Sequence, residues 1–305
     1  MERHELLQKI VALRLVSRDL AQDLLSGEFA SVFRGQGMEF DEVRQYEASD
    51  DIRSIDWNVS ARFGKPFVKL YREERELTVF FVLDCSISMH SGGISQEAGK
   101  SALTRYEQGV LAAALIAFSA ERSGQRVGAV FFDQDTTKVY NPRKGRSYVL
   151  TMISAALGAE NPSRGSSLGA ALSGAGRVLK RRSLVVVISD FLCVNWEQEL
   201  GDLCARHDVI AIRITDPLDR EIPGIGLTAM EDGETAYRIH ASASSSSFRA
   251  AWSEWHDDRA QLWQAICRRS GAARLELSTG ADAASVLARF FRGELRRNRH
   301  VRRRR

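Results

Sequence analysis

Asp84, Ser86 and Ser88 stand in the order D-x-S-x-S at the end of the apolar run LTVFFVLD, and a second carboxylate, Asp190, ends another such run, SLVVVISD. Between the two, NPSRGSSLGAAL sets the hydroxyl of Ser166 just ahead of a helical pattern. Two carboxylates and three hydroxyls offer oxygen alone, which suits a hard cation, and one or two carboxylates completed by neutral oxygens and water is the habit of Mg2+. A site built mainly from neutral hydroxyls keeps the metal electrophilic and leaves one position for a carboxylate from outside. D-x-S-x-S carries little by itself, because Asp and Ser also favour turns and helix caps. The weight lies in three segments that each fall at the end of the right element.

Other chemistries need groups that are absent from these positions. An aspartyl phosphotransferase requires an acid or base two residues after its nucleophile, and Ser86 occupies that place. The stretch GGISQEAGKS is one residue too long for G-x-x-x-x-G-K-[ST] and begins nine residues after its strand ends, whereas a P-loop starts as its strand stops. None of the six histidines (4, 90, 207, 240, 256, 300) lies in a hydrolase motif. His90, although close to the DCSIS loop, reads as a solvent-facing turn residue.

These loops need a scaffold, and the pattern around them is regular. Strands are expected over 77–84, 126–133, 183–190, 208–215 and 273–277. Helices are expected over 105–124, 147–158, 167–180, 195–206, 247–269 and 283–296, with a hairpin over 226–240 about Asp232-Gly233. Continuous Val/Ile/Phe strands alternating with helices imply an α/β fold, a mostly parallel sheet flanked by helices. In such sheets ligands gather outside the carboxyl ends of the strands, where Asp84 and Asp190 fall. Trp252, Trp255 and Trp263 are expected to pack along one face of the 247–269 helix.

Ahead of the sheet the texture differs. Residues 3–25 have apolar positions at helical spacing and predict an amphipathic helix. From Gly35 to Leu77 charges are dense and periodicity is poor, with one strand-like stretch over 66–71. Arg44, Arg53, Arg62 and Arg72 with Glu39, Asp50, Asp51, Asp56 and Glu73 are expected to form an ion-pair network, with Trp57 as its apolar anchor, and otherwise a recognition surface for a partner.

The chain has 305 residues, 44% of them hydrophobic and 27% charged, as in ordinary globular proteins. No apolar run approaches the roughly 20 residues of a membrane helix, and the first residues lack the layout of a secretion signal, which predicts a cytoplasmic setting. Cys85, Cys193, Cys204 and Cys267 have neither zinc-site nor disulfide spacing and read as reduced thiols. The net charge of +4 rests on RRNRHVRRRR (296–305); without its seven arginines the remainder stands at −3. That segment is a candidate hook for RNA, other nucleic acid, anionic lipid or an acidic partner, and otherwise a disordered, solubilising tail.

The order strand–DCSIS, then RGSSLGAAL, then VVVISDF resembles the metal-ion-dependent adhesion site of von Willebrand factor A domains, with Ser166 in the place of that site's threonine. The block RGQGMEFDEVRQYEASDDIRSIDWNVSARFGKPFVKLYREERE resembles the signature of the domain of unknown function 58 family, in which such a stretch precedes a von Willebrand A-like domain, and TDPLDREIPGIGLTAMEDGET is similar to that family as well. The resemblance implies a metal set of Asp84, Ser86, Ser88, Ser166 and Asp190. It also implies three regions: an N-terminal helix and signature segment (1–76), a von Willebrand A-like domain (77–290) and a basic tail (291–305). Such proteins are commonly encoded beside MoxR-type AAA+ ATPases, which implies a non-enzymatic adaptor or co-chaperone that uses the cation to bind proteins. An RNA-associated protein using the same fold and the arginine tail is the alternative.

Overall fold

Dense charge and poor periodicity in the first described segment give a small unit with little core. In this computed structural model residues 39–47, 50–52, 55–72, 77–93, 103–158, 165–222, 226–231 and 238–302 are described. They fall into two compact units, one within Arg34–Glu76 and the other from Leu77 onward. The helix expected over 3–25 and the turn at 232–233 lie outside the described residues.

In the smaller unit β1 (Glu39–Gln45) pairs antiparallel with β2 (Phe67–Arg72), and α1 (Trp57–Phe63) falls between them in sequence. Asp56 starts α1 by accepting from the amides of Asn58 and Val59, and Gly64 ends it in the left-handed conformation at φ 65°. Arg44 and Asp50 form a forked ion pair, Nη1–Oδ2 2.9 Å and Nη2–Oδ1 2.6 Å, so one of the expected pairs forms. Trp57 does not anchor the unit, because 68% of it is exposed. The inward position of α1 goes instead to Ser60, whose hydroxyl accepts from the Phe67 amide at 2.8 Å. A two-turn helix beside two strands has too little apolar face to cover an indole.

The larger unit runs β3 (Thr78–Asp84), α2 (Arg105–Arg122), β4 (Arg126–Phe132), β5 (Thr136–Arg143), α3 (Arg146–Leu157), α4 (Leu168–Val178), β6 (Leu184–Ser189), α5 (Glu197–Arg206), β7 (Asp208–Thr215), α6 (Pro217–Arg220), β8 (Leu227–Glu231), β9 (Arg238–Ser242), α7 (Ser246–Ser270), β10 (Ala273–Ser278) and α8 (Ala283–Arg302). Six strands form one sheet in the order β10-β7-β6-β3-β4-β5, parallel throughout except for β5. β8 and β9 form the expected hairpin pair. The architecture is the expected helix-flanked, mostly parallel α/β sheet, consistent with a Rossmann-like, von Willebrand A-type fold. Among the described residues no helix is long and apolar enough to cross a membrane.

Both faces of the sheet are buried, and strand alternation divides the side chains between two cores. Phe81, Leu83, Val186 and Ile188 point to the side covered by α2, α3 and α8, while Phe80, Val82, Val185 and Val187 point to α4, α5 and α7. Burying each such side chain contributes about 1.5–3 kcal/mol.

Three differences from expectation have physical causes. β5, TTKVYNPR, is an added antiparallel edge strand; it is mostly exposed, so it shows no apolar pattern, and an edge tolerates Pro142. α8 continues to Arg302, so helix enters the segment expected as a disordered tail from 291; arginine is a good helix former and no proline interrupts the segment. The three tryptophans lie on one side of the helix, Trp252 and Trp255 with ring centroids 6.5 Å apart, but they do not pack equally: Trp263 is 2% exposed and Trp255 43%, because Trp255 falls at the edge of the covered side.

Candidate functional site

β3 connects to β4 on one side, while β6, β7 and β10 extend the sheet on the other, so the chain reverses direction between β3 and β6. A crevice opens at such a switch point, outside the carboxyl ends of the strands. Asp84 ends β3 and Asp190 follows β6, and both are buried, with Asp84 wholly inaccessible.

Hydroxyls surround Asp84. Its Oδ1 accepts from the Ser86 amide at 2.9 Å, and its Oδ2 accepts from Ser189 Oγ at 2.7 Å and Ser166 Oγ at 3.1 Å. Ser86 and Ser88 share a hydrogen bond between their hydroxyls at 3.1 Å. All five expected residues therefore lie at this sheet edge: Ser86, Ser88 and Ser166 through these bonds, and Asp190 through its charge on Asp84. The carboxylates and Ser86 are buried, whereas Ser88 and Ser166 are half-buried, so the site opens on the hydroxyl side.

Asp190 sits on a strained loop. Its Oδ1 accepts from the Leu192 amide at 3.1 Å, and its Oδ2 is buried without a hydrogen-bond partner among the described residues. Phe191 (φ 55°) and Asn195 (φ 59°) are left-handed although neither is glycine, a cost of order 1–3 kcal/mol each. Packing offsets it: Phe191 is buried against Trp196, with ring centroids at 5.2 Å, and Trp263 at 5.9 Å. Gly169 lets α4 approach this loop, since a Cβ there would meet Asn195 O at 2.5 Å. The same approach brings Ser166, three residues earlier, to Asp84.

Burial, then the neighbouring negative charge of Asp190, pushes the Asp84 carboxyl up to about 7, while hydrogen bonds from Ser86 and Ser189 act against the shift. A group held so far above its ordinary 3.8 is a carboxylate short of positive charge. Among the described residues no three His, Cys, Asp or Glu side chains gather as a metal-holding group. The residues that could hold a cation here are two carboxylates, Asp84 and Asp190, with the hydroxyls of Ser86, Ser88 and Ser166. The orphaned Asp190 Oδ2 and the uncompensated Asp84 are the features a hard cation would satisfy.

Ser189 is a neighbour that sequence reasoning missed. Its signal was a hydroxyl where β6 otherwise reads Leu-Val-Val-Val-Ile, one residue before Asp190. His90 is not solvent-facing: it stacks on Tyr106 at 4.4 Å, and burial lowers its pKa. The four cysteines are free thiols, as expected, three buried and Cys204 half-buried.

Sequence comparison leads to relatives whose names assign no function. Uncharacterized protein Rv1480 of Mycobacterium tuberculosis is 31% identical over 285 residues, covering 91% of this chain and 86% of that protein. Among solved structures, the conserved hypothetical protein BatB from Bacteroides thetaiotaomicron aligns with TM-score 0.47 and 15% identity, over 72% of this chain and 99% of that one. An aerotolerance-related membrane protein from Bacteroides fragilis aligns with TM-score 0.45 and 16% identity, over 72% and 99%. The match to a family description spans residues 42–261, taking in most of the smaller unit and the sheet through α7. By that match this chain belongs to DUF58, a family of proteins of unknown function.

Proposed function

We propose that this chain is a non-enzymatic protein-binding module that takes a divalent cation, Mg2+ by preference, between Asp84 and Asp190. A partner's acidic side chain would complete the cation's shell. The observation that carries this reading is the buried Asp190 Oδ2, without a hydrogen-bond partner among the described residues, beside an Asp84 carboxyl pushed up to about 7. Such a pair is costly to keep in a fold without a cation to compensate it. The half-buried Ser88 and Ser166 on the open side supply neutral oxygens that leave the metal's attraction for an outside carboxylate undiminished.

The thiol in this loop also supports a binding role. Burial pushes Cys85 up to about 12, so it stays protonated near neutrality and is a poor nucleophile. In this reading the module works in the cytoplasm as an adaptor or co-chaperone that couples a MoxR-type AAA+ ATPase to its clients, and hydrolysis belongs to the ATPase.

Calorimetric titration of Mg2+ into chelator-treated wild type and the Asp84→Ala variant tests the cation. Binding by wild type alone is expected, and equal binding by both, or by neither, overturns the reading. Capture of the ATPase should be lost in EDTA and survive removal of residues 296–305; RNA binding with a steep salt dependence, lost with that segment, would favour the RNA alternative.

A further inference from the structure

The hydroxyls of Ser86 and Ser88 reach the site only if the loop from Ser86 to Gly93 keeps its shape. Its own bonds are few: Met89 N to Ser86 O at 3.1 Å and Ser91 N to Ser88 O at 3.2 Å. After the short helical turn Ile87–His90 it passes through two left-handed glycines, Gly92 (φ 85°) and Gly93 (φ 83°).

Besides Asp84, which accepts from the Ser86 amide, two further side chains among the described residues hold it from outside. Arg105, at the start of α2, directs one arm of its guanidinium to Ser91 Oγ, which donates to Ser88 O at 2.5 Å; the same arm lies 3.4 Å from Ser88 O. Its other arm pairs with Asp219 Oδ1. Asp216 accepts from the Gly93 amide at 3.1 Å and from Thr279 Oγ1 at 2.8 Å. These two anchors are one structure, because Asp219 Oδ2 accepts from the Asp216 amide at 2.9 Å in a capping box. Gly92 lies so close to Asp216 that a Cβ would collide with the carboxylate.

The brace is sealed on its far side by α7. Trp252 Nε1 donates to Leu218 O at 2.9 Å, and buried His256 has its Nε2 3.9 Å from Asp219 Oδ1. Arg105 is 8% and Asp219 7% exposed. An ion pair in so dry a place is held by geometry as well as charge, and the planar arginine fork spans Ser91 and Asp219 at once in a way that a lysine head does not.

We infer that Arg105 and Asp219 are positioning residues: through Ser91 and the Ser88 carbonyl they fix the loop that presents Ser86 and Ser88, and so set the affinity of the site for its cation. The inference rests on the cation reading above. None of the four residues in the brace (Arg105, Asp216, Asp219, Ser91) is a candidate ligand.

Three proteins decide it: wild type, Arg105→Lys, and a double variant, Arg105→Met with Asp219→Asn, that leaves no buried charge orphaned. Each is titrated with Mn2+, followed by the paramagnetic resonance of the free ion, and its amide hydrogen exchange over residues 86–93 is measured without cation. Both variants should bind Mn2+ at least ten-fold more weakly and exchange faster over 86–93, with α2 protection unchanged. Wild-type Mn2+ affinity in either variant overturns the inference, in Arg105→Lys because charge alone would then suffice, and so does weaker binding with unchanged exchange. Should wild type bind no Mn2+, the cation reading fails by itself, and exchange still decides the brace: faster over 86–93 in both variants upholds it, unchanged overturns it.

Discussion

Ser189 Oγ donates to Asp84 Oδ2 at 2.7 Å, joining the carboxyl ends of two adjacent parallel strands at the point where the sheet reverses direction. The same hydroxyl accepts from the Phe191 amide at 3.0 Å, so one serine ties the carboxylate of β3 to the strained loop that carries Asp190. It holds the two halves of the candidate site together while remaining outside the set of expected ligands.

Replacing this serine should expose both dependencies. Ser189→Ala leaves the Phe191 amide without an acceptor and removes one bond from a buried carboxylate, with an expected cost of about 1–3 kcal/mol. For a domain of this size that lowers Tm by about 2–4 °C for each kcal/mol. Because the lost bond opposed the upward shift of Asp84, the carboxyl should move higher still. Urea melts and a pH titration of stability check both effects; an unchanged midpoint would remove Ser189 from this role.

The Asp84 carboxyl gives the cation-free protein an unusual pH dependence. Its folded pKa of about 7 lies above the ordinary 3.8, so between those values the folded state binds more protons than the unfolded state. This group's contribution therefore destabilises the fold as pH rises from about 4 to 7, by an amount of the order of a few kcal/mol, and no further above that window. Asp84→Asn should abolish most of the slope and raise stability above pH 7. Saturating Mg2+ should do the same in wild type by replacing the proton. Melts across pH in EDTA and in Mg2+ measure this directly.

The buried strands were legible because Val, Ile and Phe runs bounded by turns admit few alternatives, and β3, β6 and β7 fall within a residue of expectation. The grouping of the candidate residues was legible for the same reason: a switch point collects whatever lies at the strand ends, and Asp84 ends β3 while Asp190 follows β6 directly. What sequence did not disclose was held by contacts distant in the chain. Arg105 reads as one more basic residue until the fold sets it against Asp219, 114 positions away. β5 was hidden by exposure, since an edge strand needs no apolar alternation, and the core of the smaller unit is too small to take Trp57.

Gly169 and Gly174 lie in the same helix and should respond oppositely to alanine. At Gly169 the added methyl meets Asn195 O at 2.5 Å, whereas at Gly174 no atom of the described residues lies within 4 Å. Gly169→Ala should cost about 1–3 kcal/mol by overpacking and weaken cation binding, because α4 and the Asp190 loop must separate. Gly174→Ala should stabilise by about 0.5–1 kcal/mol through backbone entropy alone and leave binding unchanged. Thermal melts with Mg2+ titration of each variant separate the two.

Trp57 makes the last distinction, between a side chain that holds a fold and one that meets a partner. With 68% of it exposed, and with Ile52 at 65% and Phe63 at 68% in the same unit, its removal exposes no new apolar core. Trp57→Ser should therefore change stability by no more than about 0.5 kcal/mol. Exposed aromatic side chains are also the type that partner surfaces bury. If the smaller unit contacts the ATPase or its client, the same substitution should weaken capture several-fold while Tm and Mg2+ affinity hold. A large fall in Tm would show instead that the indole supports the fold.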